Sequence, residues 1–166
     1  MEENLSTRLI DQCVLNADEL DHCLERTHLV FRGLVEQADR LLAERGLGRA
    51  HQRVLWVVAR QPGLPTGAVA GFLGVSLQAL HKTMRELLDR DLIQSTTDEE
   101  NRRLRRVSLT EAGRALEAQL TEPQRAVFAA AVNRLGAEAI GQWGAVMDVL
   151  AEELGSKAGR DGSGPQ

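Results

Sequence analysis

Two stretches of the chain combine residue types and spacings that suit a chemical task. The first reads Ala70-Gly71-Phe72-Leu73-Gly74-Val75-Ser76-Leu77-Gln78-Ala79-Leu80-His81-Lys82. A small residue, then a glycine four positions on, then an apolar residue and a serine predict a helix, a tight turn and a second helix. Gly74 supplies the left-handed turn and Ser76 caps the second helix. The second stretch, Asp98 to Arg106, holds four arginines within the six residues Asn101–Arg106. It lies between two β-prone runs, Leu92–Thr97 and Val107–Leu109. Four like charges so close repel one another in any buried site, so they belong on a protruding hairpin.

The chemistry that this pair can do is recognition of duplex DNA. Leu80, Met84, Leu87 and Leu88 are assigned to hold the second helix against its lobe. That leaves Leu77, Gln78, Ala79, His81, Lys82 and Arg85 on or near the outward face, where a recognition helix meets base edges. Gln78 suits adenine, Ala79 a thymine methyl, and Lys82 and Arg85 guanine or phosphate. Arg102, Arg103 and Arg105 on a thin ribbon suit the narrow, electronegative minor groove. Asp98 is expected to hold one arginine by a bidentate pair.

Composition supports binding over catalysis. The net charge of −4 is unevenly spread. Residues 51–114 carry ten Lys/Arg against seven acids, while residues 1–50 and 115–166 are both acidic. Phosphate binding depends on local cations, so the positive segment matters more than the total. Aromatic residues are 3% and tyrosine is absent, which argues against a stacking platform for single strands. No Ser-His-Asp set, phosphate-cradling glycine loop or paired glutamates in an apolar setting can be defended, so no enzyme and no cofactor is expected. His22, Cys23 and His28 lack the i, i+3 or i, i+4 spacing of helical zinc ligands. The start of the chain has no apolar signal-like core and no run long enough for a membrane span, which points to the cytoplasm.

These motifs need elements to position them. The expected fold class is mainly α with a small β wing: a winged helix-turn-helix lobe plus a helical dimerisation region. Residues 1–48 form the N-terminal helical part, with a helix over roughly Asp18–Arg45 and a possible arm before it. Residues 49–109 form the DNA-binding lobe, with helices near Ala50–Arg60 and Thr66–Leu73 before the motif. Residues 110–154 are helical again, capped by Thr110 and interrupted at Pro123 and Gly136 as two helices or one bent helix. There Ile140, Trp143, Met147, Leu150 and Leu154 form a narrow apolar seam suited to packing between subunits. Residues 155–166 are rich in glycine and serine and read as a disordered tail.

The stretch from Gly46 to Gly113 resembles the MarR (multiple antibiotic resistance regulator) family of bacterial transcription factors. The resemblance rests on Asp98-x-x-Asn101-x-Arg103 followed by Leu109-Thr110-x-x-Gly113. In the family this is Asp-x-x-Asp-x-Arg and Leu-Thr-x-x-Gly. The resemblance implies a homodimer in which first and last helices dimerise and each lobe reads half of a palindromic operator in double-stranded DNA. By position, Arg103 matches the arginine that enters the minor groove and Asp98 its orienting carboxylate. Ser76, Gln78, Ala79, His81 and Lys82 fall where the family contacts DNA. Three positions depart: Asn101 for the usual Asp, Asp91 for a usual Gly, and Leu77 for a usual polar residue.

The resemblance also implies a repressor released by a small aromatic acid or phenol. Arg49 and His51 at a helix start, with Trp56, His28 and Phe31, are the candidate ligand residues; the alternative is that Trp56 and Phe31 are core. Two rival readings keep the same fold. One is a thiol-based redox sensor using Cys13 and Cys23, although both cysteines sit among carboxylates and no tyrosine accompanies them. The other is a protein-interaction module without DNA affinity, which has no need of an arginine-rich wing.

Overall fold

The structure, a computed structural model, describes residues 14–98, 101 and 104–155. The proposed arm up to residue 13, the tail from residue 156, Cys13, Arg102 and Arg103 lie outside the described residues. Six helices and three short strands follow the order α1(Ala17–Glu44), α2(Arg49–Arg60), β1(Leu64–Pro65), α3(Thr66–Leu73), α4(Leu77–Asp89), β2(Ile93–Thr97), β3(Arg105–Leu109), α5(Glu111–Leu135) and α6(Ala137–Glu153) among the described residues. The mainly helical fold with a small β wing is as the sequence leads one to expect. No helix among the described residues is long and apolar enough to cross a membrane.

Helix α1 starts at a reciprocal cap. Asn16 Oδ1 accepts from Glu19 N at 3.0 Å, and Glu19 Oε2 accepts from Asn16 N at 2.9 Å. Only Ala38 and Leu42 of α1 are buried, near its C-terminal end. The apolar residues Leu24, Leu29, Val30 and Phe31 of its N-terminal half are exposed. The core belongs to the lobe: Val54, Leu55, Val57 and Val58 of α2 meet Val69, Leu80, Leu87, Ile93 and Val107. Each is an aliphatic side chain removed from water, worth about 1.5–3 kcal/mol.

The sheet has an order that sequence reading missed. Strand β3 is central, with β2 on one side and the two-residue β1 on the other, all antiparallel. Leu64 precedes a proline and is held extended by it, which is the one local signal for β1. Gly63 N donates to Val107 O at 2.8 Å and completes the pairing. The C-terminal helices also differ in detail. Helix α5 continues through Pro123, and the break falls at Gly136, where φ is 86°. Around the proline, Thr121 Oγ1 donates to Glu117 Oε1 and Gln124 Nε2 donates to Leu34 O of α1. The first of these bonds lies within α5 and the second ties it to α1; together they offset the backbone bond that proline removes.

The wing is fastened to both neighbouring helices at one joint. Leu92 O accepts from Thr110 N at 3.2 Å, and Asp91 O accepts from Thr110 Oγ1 at 2.6 Å. The same hydroxyl accepts from Gly113 N at 3.0 Å and so caps α5. Gly113 lies against Leu92: a Cβ there would stand 1.8 Å from the Leu92 carbonyl oxygen. Asp91 turns the chain with φ of 53°, the one positive value outside glycine among the described residues. The substitution of Asp for Gly at this position therefore carries the left-handed strain expected of it. Two outcomes follow for urea denaturation at fixed protein concentration. Gly113→Ala should lower stability by about 3 kcal/mol or more, because backbone rather than a pliant side chain must move. Asp91→Gly should raise it by about 0.5–1 kcal/mol, the left-handed penalty less the extra entropy of an unfolded glycine.

Candidate nucleic-acid interface

The helix-turn-helix is built as its residues dictate. Ala70 is buried where α3 meets the turn, and Gly74 is left-handed with φ of 63°. Val75 N donates to Ala70 O at 3.1 Å, closing the turn. Ser76 Oγ then accepts from Ala79 N at 3.1 Å and starts α4. Leu80, Thr83, Met84 and Leu87 form the buried stripe of α4. Leu88, assigned above to that stripe, is instead exposed. At 100° per residue it lies past one edge of the buried arc, and Thr83 fills the other edge. Ser76, Gln78, Ala79, His81, Lys82 and Arg85 all stand exposed. Lys82 is the most open of the ion-paired side chains, at 84%, and its Nζ reaches Glu86 Oε1 only at 3.8 Å. Such a contact is weak in water and leaves the ammonium available to another anion.

The wing strands run in register from Ile93↔Leu109 to Thr97↔Arg105. Asp98, whose side chain is 5% exposed, organises the tip. Its Oδ1 accepts from Asn101 N at 2.7 Å and its Oδ2 accepts from Arg106 Nε. Asp98 N donates to Leu104 O, and Leu104 N donates to Asn101 O. Arg106 is thus one partner of the Asp98 carboxylate, through its Nε. Arg106 also donates from Nη1 to Gly63 O at 3.0 Å, so it braces the wing against the lobe. Arg105 faces the other side of the ribbon, exposed, with Nε on Ser95 Oγ at 3.1 Å. The exposed face of α4 and this basic ribbon belong to one compact lobe.

The five candidate ligand residues are dispersed. Arg49 grips Asp39 with Nε and Nη2, at 3.0 and 2.6 Å, and Asp39 raises the guanidinium pKa further above its ordinary value by hydrogen bonding. Buried His51 uses both ring nitrogens: Nδ1 accepts from Gly48 N at 3.0 Å and Nε2 meets Glu86 Oε2 at 2.6 Å. His28 and Phe31 are exposed on α1, about 16 and 12 Å along the helix from Asp39. Trp56 is half-exposed rather than core; its ring meets Phe72 with centroids 6.0 Å apart and lies 4.0 Å under Arg60. With Gln52, Arg53, Phe72 and Leu73, Trp56 lines a cavity of about 250 Å³.

Cys23 is exposed and unbridged. His22 Nδ1 is engaged with Asp18 O at 2.7 Å. Among the described residues no three His, Cys, Asp or Glu side chains converge as for a metal ion. Two polar residues escaped sequence reading. Glu86 stands on the recognition helix yet points back to His51, and Glu117 accepts from Arg60 Nη1 at 3.1 Å. Both are ordinary charged helix residues in sequence, with no local signal of their partners.

A profile of the MarR family matches residues 45–104, from the α1–α2 turn to the wing tip. The HTH-type transcriptional regulator PetP of Rhodobacter capsulatus is 32% identical over 138 residues, covering 83% of this chain and 83% of that protein. The chain belongs to the MarR family. It shares the fold of Streptococcus pneumoniae FabT in complex with DNA, with a TM-score of 0.69 and 19% identity, over 84% of this chain and 97% of that one. MarR itself matches with a TM-score of 0.57 and 23% identity, over 85% of this chain and 92% of that one. The Leu-Thr-x-x-Gly signature of the family has its physical basis here in the Thr110 cap and the Gly113–Leu92 contact. Like the family, this chain is a winged-helix, DNA-binding transcriptional regulator.

The wing tip offers a direct check. Asp98→Ala removes the acceptor of Asn101 N and Arg106, so amide hydrogen exchange at Asn101 and Leu104 should speed up about tenfold or more, matching loss of a charge-assisted bond. Far-UV circular dichroism should not change.

Proposed function

We propose that the chain acts as a cytoplasmic homodimer that represses transcription by clasping a palindromic operator. The observation that carries this reading is the pairing, in one lobe, of an exposed Gln78-Ala79-His81-Lys82-Arg85 face with an aspartate-braced basic wing. Helix α4 lies in the major groove, with Ser76, Gln78 and Ala79 at base edges and Lys82 and Arg85 near guanine or phosphate. The wing follows the adjacent minor groove with Arg103, flanked by Arg102 and Arg105. Bound in this way, the protein occludes the DNA that it covers.

Dimerisation is supported by what one copy leaves uncovered. No residue of α6 is buried, and Trp143, Val146, Val149, Leu150 and Leu154 are exposed. Ile140 and Met147 of the expected seam are half-buried, and Trp143 stacks on Phe128 with centroids 5.3 Å apart. Among the described residues, α5 is the main element packed against α6. The exposed apolar half of α1 adds a second surface of the kind that monomers rarely expose. Release by a small aromatic carboxylate is the regulatory half of the reading. Its support is the Trp56–Phe72 cavity, where an aromatic ring can stack beside Arg53.

Binding isotherms on duplexes of its own upstream DNA, at several salt concentrations, test the DNA half. The logarithmic salt slope should be steep, and Lys82→Ala, which removes one contact in each half-site, should reduce it by about 2 for the dimer. Gln78→Ala should leave the slope alone and relax base preference by about 1–3 kcal/mol. A flat response to salt, or a monomer at micromolar concentration in sedimentation, sinks the reading. For the effector, benzoate should quench Trp56 fluorescence in a Trp143→Phe variant; an unchanged spectrum at millimolar benzoate excludes that cavity.

A further inference from the structure

The recognition helix is held at two points by the turn that joins α1 to α2, and neither hold belongs to the DNA-facing surface. The first runs through His51. Gly48 N donates to its Nδ1 at 3.0 Å, so Nε2 carries the ring hydrogen and donates to Glu86 Oε2 at 2.6 Å. The second is at the end of α4, where Arg90 donates from Nη1 to Arg45 O at 2.6 Å and from Nη2 to Gly46 O at 3.3 Å. The turn is itself braced to α1 by the Arg49–Asp39 pair.

Residues 86 and 90 are about 6 Å apart along the helix. One attachment would leave α4 free to pivot; two fix its direction. The apolar stripe of Leu80, Met84 and Leu87 cannot do this alone, because hydrophobic contact resists separation but is indifferent to small sliding and rotation. Hydrogen bonds are directional and do not tolerate either.

We infer that His51 and Arg90 are positioning residues for operator recognition: they lock α4 to the α1–α2 turn, so that α1 sets the angle and separation of the two recognition helices. This rests on the dimeric reading above. Its consequence is specific to geometry. Removing the lock should leave each lobe able to bind its half-site but blur the required distance between half-sites.

The test uses full-length protein and a palindrome selected from random duplexes by the wild type. Three probes are compared: that palindrome, the same with two base pairs inserted at its centre, and a duplex with one half-site. The insertion moves the half-sites about 7 Å apart and about 70° around the axis. His51→Asn keeps an acceptor for Gly48 N but is too short for Glu86; Arg90→Met removes the second hold at similar length. Wild type should lose about 30-fold or more on insertion, and the double variant about fivefold or less, with single half-site affinity within about twofold. Each single variant should fall between them, which decides the matter if the double variant does not fold. A penalty as large in the variants as in wild type overturns the lock while leaving the dimeric reading intact. A wild type indifferent to the insertion overturns both.

Discussion

The α5 backbone at Gly113 comes so near the carbonyl of Leu92 that no side chain fits between them, and the wing depends on that approach. The base of the wing, the end of the recognition helix and the start of α5 all meet within the residues 91–93 and 109–113. Only a glycine at 113 lets the helix come near enough for Thr110 to cap it and bond Asp91 O at the same time. Once that joint is made, Ile93 and Leu109 face each other as the first pair of β2 and β3. Every later pair, out to the arginine-rich tip, follows in register because strand pairing propagates from a fixed end. The strained Asp91 is tolerated because the joint around it leaves the chain no other path.

Charge is organised on the same principle of local arrangement. The chain as a whole is acidic, yet the exposed cations of α4 and the wing stand together on one lobe. Acidic groups inside that lobe point inward: Asp98 to the wing backbone and Arg106, and Glu86 toward His51. Asp98 is paired with a guanidinium and so opposes phosphate less than an unpaired carboxylate at that site would, and Glu86 has Lys82 Nζ 3.8 Å away. The two carboxylates serve shape, one fixing the ribbon and the other the helix, and the cations beside them remain available for the nucleic acid.

Much of the lobe was legible because its cues are short-range. Gly74 and Ser76 act within four residues of themselves, so the turn and the cap could be read directly, as could the outward set on α4 once its period was known. Leu88 was misplaced because a leucine at the edge of a stripe reads like one inside it; which edge is covered depends on the neighbouring helix. Strand β1 was missed because two residues carry no period, and its existence depends on β3 passing beside it. Helix α5 continues through Pro123 because Gln124 and Glu117 find partners on α1 and α2, which no local rule supplies.

The division is one of range. The amino-acid sequence by itself determined the helix starts, the left-handed turn, the basic ribbon and the uneven spread of charge, since each arises from residues within a few positions of one another. Tertiary structure alone decided that Asp98 holds Arg106, that His51 faces Glu86 35 positions away, and that Arg49 is committed to Asp39. A charged side chain can reach many partners in an unfolded chain; packing the backbone selects among them, because it decides which lie within hydrogen-bond distance.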